Sequence, residues 1–155
     1  MGMYQEHALE GASAVELVVA LYDGILRFLY AASAAVERGD ATERRTAVKR
    51  ALDIIIHLQA RLRMDVGGRP AQVLSEFYAS IFAQILQASQ SASQQKFEHA
   101  IECVRNVRDA WRQVARGEGV TVADASGEVT AATVHLANRA DSPERDAATA
   151  AHWTA

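Results

Sequence analysis

Residues Ser13 to Ala32 read SAVELVVALYDGILRFLYAA, and only Glu16, Asp23 and Arg27 in that run are charged. The three lie seven and then four apart, so on a helix they share one narrow stripe and leave the remaining circumference apolar. A helix covered by a single neighbouring layer needs one apolar face. This one carries enough for two. Either other helices surround it, or part of it stays open to a partner.

Turning about 100° per residue, the stretch divides into three arcs. Leu17, Leu21, Ile25 and Phe28, with Val18 and Ala32 beside them, form the arc expected in the core. Glu16, Asp23 and Arg27 form the polar arc, with Asp23 and Arg27 spaced for an ion pair. Val15, Val19, Tyr22, Leu26, Leu29 and Tyr30 form the third, which is apolar with tyrosine edges and suits a surface that must be both wet and sticky. This arc packs on a second neighbour or lines an open groove. The run Ile54-Ile55-Ile56 shows a similar surplus, since three consecutive isoleucines cannot share one core. Two helices with the same excess favour a continuous groove, with Ile54 on it, or a dimer interface.

Chain punctuation sets the helix boundaries. Ser13 with Glu16 has the spacing of a capping box, in which each side chain satisfies an unpaired backbone N–H. The first helix should run from there to Glu37 and break at Arg38-Gly39-Asp40. Asp40 with Glu43 repeats the cap, opening a second helix that extends to Val66 and stops at Gly67-Gly68. Pro70 suits the first turn of a third helix, which carries Leu74, Phe77, Tyr78, Ile81, Phe82, Ile85 and Leu86. Ser91 with Gln94 predicts the cap of a fourth, whose Phe97, Ala100, Ile101, Val104, Val107, Trp111 and Val114 approach a heptad seam. Gly117 closes it.

Short connections make successive helices antiparallel neighbours, so the fold class expected is all-α, an antiparallel up-down four-helix bundle. Three regions follow: a flexible N-terminal segment over 1–12, the bundle over 13–116 and a tail over 117–155. The tail is rich in Ala, Thr, Asp and Glu with a lone Trp153, a composition that predicts disorder because it cannot offset its ordering entropy.

Charge and composition narrow the function. A net charge of −3 argues against a nucleic-acid partner, and Arg44, Arg45, Lys49 and Arg50 read as the solvated start of the second helix. With Cys103 as the only cysteine, no intramolecular disulfide forms, which fits a reducing cytoplasm. The N-terminus lacks the basic and apolar regions of a secretory signal, and no uninterrupted apolar run approaches the ~20 residues of a membrane span. Asp53 with His57, or His99 with Glu102, has metal-ligand spacing but lacks the supporting carboxylates of a di-iron bundle. Cys103 and His99 are expected on different sides of their helix, and no phosphate loop or nucleophile elbow is present. No enzyme, cofactor or metal is expected.

Tyr4, Gly11-Ala12-Ser13, Leu17 and the run Ala20-Leu21-Tyr22-Asp23-Gly24-Ile25-Leu26-Arg27-Phe28-Leu29 resemble the N-terminal signature of the flagellar secretion chaperone FliS family. Ala51, Ile55, Leu58 and Leu62, then Asp65 and Gly67-Gly68, and the closing Val107-Arg108-Asp109-Ala110-Trp111 extend the resemblance across residues 4 to 116. Ala14 stands where the family often has proline, and Arg69 where an acidic residue is common. The resemblance implies a cytoplasmic, antiparallel four-helix chaperone. Its partner would be the C-terminal segment of flagellin, which folds as helices against surface grooves and is kept from polymerising before export.

Other flagellar regulators are further partners the resemblance leaves room for. In the family the segment around the leading tyrosine can cover part of the groove; Tyr4 matches that position, and a frayed terminus is the alternative. On this reading Leu26→Asp weakens client binding and leaves the fold intact. A homodimeric helical adaptor without a flagellin client is the competing reading, and the protein is a monomer or a homodimer accordingly.

Overall fold

The computed structural model describes residues 2–62, 68–117 and 122–127. Four long helices follow in order: α1 over Gly2–Arg38, α2 over Ala41–Ala60, α3 over Gly68–Gln90 and α4 over Gln94–Ala115. A short helix, α5, spans 122–127. α1 packs on α2 and α4, and α3 packs on the same two, so the long helices close into a ring α1–α2–α3–α4. The all-α bundle read from the sequence is the fold observed.

Chain breaks form where turn chemistry allows. Gly39, at φ 69°, takes the left-handed position after α1, where its N–H reaches the Val36 carbonyl and the Asp40 N–H reaches that of Ala35. The Asp40 carboxylate then accepts from the Glu43 N–H at 3.0 Å and caps α2 as expected. The same C-terminal motif ends α3, but with Ala92 at φ 45° in the left-handed position. Gly117, at φ 76°, follows α4.

Several boundaries differ from the sequence reading. α1 begins at Gly2 instead of Ser13, because Met3 to Glu10 are mostly good helix formers and the lone Gly11 costs only about 1 kcal/mol. The backbone of the segment expected to be flexible is thus helical from Gly2. α2 ends at Ala60 instead of Val66, its last turn tightening as Arg61 and Leu62 donate to the Leu58 and Gln59 carbonyls. Residues 63–67 lie outside the described residues.

The cap of α4 is Ser93, which accepts from the Lys96 N–H at 3.2 Å, while Ser91 instead donates to the Gln87 carbonyl of α3. Within the tail expected to be disordered, residues 122–127 are helical. α5 packs on the bundle with Val122 and Ser126 buried, and the Ser126 hydroxyl bonds the Val122 carbonyl at 2.9 Å. The rest of the expected tail, including Trp153, falls outside the described residues.

The core is a column of large apolar side chains: Ile25 and Leu29 of α1, Ile55 of α2, Phe77, Ile81 and Ile85 of α3, and Phe97, Val104 and Val107 of α4. Tyr22 and Tyr78 meet at its centre. Their hydroxyls lie 2.8 Å apart and bridge α1 to α3, which are not adjacent in the ring.

The inward face of α1 is rotated by roughly a quarter of a turn from the expected one. Tyr22, Leu26 and Leu29, read as surface groove, are buried at 0, 5 and 0% exposure. Leu17, read as core, is 45% exposed, and Leu21 and Phe28 are half-buried. Directional polar contacts explain the choice. Tyr22 finds a hydroxyl partner only when turned inward, and Asp23 meets Arg108 and Arg112 of α4 in place of Arg27.

By length and composition the Ala14–Arg38 part of α1 is apolar enough to cross a membrane. Here its apolar surplus is divided among α2, α4 and the core.

Candidate helix-binding groove

α2 and α3 leave a groove of about 560 Å³, lined by Ile55, Ile56, Gln59 and Ala60 on one side and Ser75, Tyr78, Ala79 and Phe82 on the other. The Ile54-Ile55-Ile56 run explains its first wall. Successive side chains on a helix point about 100° apart, so Ile55 enters the core, Ile54 half-buries toward α1 and Ile56 stays 54% exposed. Ile54 lies so close to α1 that a Cβ on Gly24 would sit 3.1 Å from its Cδ1, so glycine there permits the close approach. On α3, Ser75, Ala79, Phe82 and Leu86 recur at three- and four-residue spacing along one stripe, with Phe82 half-buried and Leu86 37% exposed.

None of the eight lining residues carries a charge. The Gln59 side-chain amide donates to the Ser75 hydroxyl at 2.7 Å across the groove. Tyr78 forms part of the floor. Burial pushes its phenol up to about 12, and the Tyr22 phenol is raised as well, first by burial and then by Tyr78. Both hydroxyls therefore stay protonated at neutral pH and keep their mutual bond.

The residues expected to bind a partner do not form one site. Tyr22, Leu26 and Leu29 are core. Val15 and Val19 are half-buried, and Val19 lines a shallow cleft with Glu16, Arg112, Ala115 and Arg116. Tyr30 is 47% exposed and accepts a hydrogen bond from Arg105 of α4. Ile54 lies toward α1, and the side chain of Tyr4 lies outside the described residues. Ile56, Ala79 and Phe82, the walls of the actual groove, were absent from that expectation. The usable signals were the isoleucine run and the aromatic surplus of α3.

Residues considered for chemistry are scattered. Asp53, His57, His99 and Glu102 are exposed, and no group of three metal-ligating side chains occurs among the described residues. Contrary to expectation, Cys103 and His99 share a side of α4, with Sγ 3.8 Å from Nε2, because four residues make one helical turn. Burial raises the Cys103 thiol above its ordinary value, which favours the neutral form.

The architecture is that of an all-α bundle with an uncharged, apolar groove between two helices, a shape and chemistry suited to the apolar face of an amphipathic segment. Residues 1–118 match the family described as Flagellar protein FliS, and the chain belongs to that family. The Flagellar secretion chaperone FliS of Vibrio cholerae is 33% identical over 106 residues, covering 68% of this chain and 78% of that protein. Its Salmonella typhimurium counterpart is 32% identical over 111 residues, covering 71% and 82%, and that of Bacillus subtilis is 25% identical over 115 residues, covering 74% and 85%.

Proposed function

We propose that this protein is a cytoplasmic flagellar secretion chaperone that holds the C-terminal segment of flagellin in the α2–α3 groove before export. The observation that carries the reading is the uncharged stripe of Ile56, Phe82 and Leu86, apolar side chains left part-exposed beside the α2–α3 furrow. Family membership supplies the client class, and the groove chemistry suits it. A segment that is disordered when free gains helical structure as its apolar face enters the furrow, and the ordering cost is subtracted from the affinity. Covering that face removes the surface through which flagellin copies would polymerise. No covalent chemistry is involved.

Isothermal titration with the C-terminal segment of flagellin from the same organism, combined with circular dichroism, tests the reading. Saturable binding with a negative heat-capacity change and a gain of helicity supports it. Absence of binding by the folded protein overturns it. Ile56→Asp should weaken binding by at least about tenfold, since a charge then sits in the apolar contact. A second reading, a homodimer joined through the same exposed stripe, predicts a melting temperature that rises with protein concentration.

A further inference from the structure

We propose that the α1–α4 face is a second docking surface, for an acidic amphipathic helix of a protein partner distinct from the occupant of the α2–α3 groove. The arginines of this face differ in how they are paired. Arg108 is neutralised by Asp23 at 2.7 Å and Asp109 at 2.9 Å. The face as a whole still carries positive charge in excess, since Arg27, Arg105, Arg108, Arg112 and Arg116 line its two clefts against the carboxylates of Glu16 and Asp23. Among the described residues, Arg105 donates to the uncharged Tyr30 hydroxyl, and Arg27 lies 5.1 Å from the Phe28 ring centroid with no carboxylate partner. Arg112 is 48% exposed and shares Asp23 with Arg108, at 3.7 Å. Ring faces and phenols hold a guanidinium in position without cancelling its charge.

The floor of this face is apolar. One shallow cleft of about 370 Å³ includes Leu26 and Tyr30 beside Arg27 and Arg105, and another of about 240 Å³ includes Val19 and Ala115 beside Arg112. Together they follow α1 from Glu16 to Tyr30, about 20 Å at a rise of ~1.5 Å per residue, the length of four helical turns. Apolar clefts rimmed by more arginines than carboxylates complement a helix with one apolar face and Asp or Glu on its flanks. The apolar floor between the arginines suits the apolar face of a helix and offers no contact to a phosphate backbone, which disfavours a nucleic acid. The α2–α3 groove has no charged lining residue to offer such a helix, so the two surfaces select different partners.

The test uses the full chain and three fluorescein-labelled probes: an 18-residue peptide with leucine on one helical face and glutamate on the rest, a polyglutamate of equal length, and a short single-stranded RNA. Anisotropy at low salt should show saturable binding of the amphipathic peptide. That binding should weaken by about tenfold in Arg105→Glu/Arg112→Glu and by less than about twofold in Ile56→Asp. If the double variant melts early, Arg27→Glu, at an exposed position without a carboxylate partner among the described residues, carries the same comparison. Binding unchanged by these arginine variants, or lost in Ile56→Asp, overturns the proposal. So does polyglutamate binding as tightly as the amphipathic peptide, or RNA binding more tightly with the same arginine dependence.

Discussion

The α2–α3 and α1–α4 contacts each bring two antiparallel helices of one bundle together, yet their rims differ in chemistry. α1 and α4 are tied by Asp23–Arg108, Asp23–Arg112 and Tyr30–Arg105. Across the α2–α3 groove the lining is uncharged, with Gln59–Ser75 as a polar cross-link. Ion pairs are directional and fix one helix against the other, while an apolar furrow accepts any surface that fills it. The pinned interface defines the bundle and leaves spare positive charge on its outside. The apolar one leaves an open furrow.

The largest effect expected bears on which arc of α1 belongs to which region. Leu26→Asp buries a charge in the core and should lower the unfolding free energy by more than about 3 kcal/mol in urea titration, whereas Leu17→Asp should change it by less than about 0.5 kcal/mol. The reverse order would return Leu26 to the surface. Removing a hydroxyl from the aromatic floor comes next. Tyr78→Phe leaves the Tyr22 hydroxyl buried without its partner and should cost about 1–2 kcal/mol.

A pH series sharpens the same point. Both phenols have folded values above the ordinary ~10, so the folded state keeps protons that the unfolded chain has released. Their contribution to stability is therefore fully present below pH ~10 and declines as pH rises toward about 12. Urea midpoints should fall over that window, less steeply in Tyr78→Phe. Arg108→Ala, which unpins α4 from Asp23 on a partly solvated rim, should cost about 1 kcal/mol and leave binding in the α2–α3 groove unchanged, read by melting and titration together. The smallest effect lies outside both regions. Ala92→Gly relieves the left-handed alanine after α3 and should raise stability by about 0.5–1 kcal/mol in chemical denaturation.

Much of the bundle was legible because its signals are local. Asp40 caps α2 and the glycines at 39 and 117 sit where a left-handed residue is needed, since a turn depends only on adjacent residues. The cap of α4 was less so. Ser91 and Ser93 are chemically equal candidates, and Ser93 wins because Ala92 takes the left-handed position and lets α3 run through Gln90. α5 was invisible to composition, since burying Val122 and Ser126 depends on a surface that exists only after the bundle has formed.

The site was only half legible. The excess of apolar surface on α1 and α2 signalled more hydrophobic area than one core consumes, but Tyr22, Leu26 and Leu29, expected on an open surface, are buried, while Ile56 of α2 is exposed. By itself the sequence determined an all-α chain, the number and order of its long helices and most of their breaks, because periodicity and turn chemistry act over a few residues. Only the tertiary structure decided which arc of α1 turns inward. A helix apolar around most of its circumference buries nearly the same area in several rotations, so the hydrophobic effect, which has no direction, cannot choose among them. The choice rests on contacts between residues far apart in the chain: Tyr22 with Tyr78, 56 residues on, and Asp23 with Arg108, 85 residues on. Those contacts turn Tyr22 and Leu26 into core, while Ile56 and Phe82 line the α2–α3 groove.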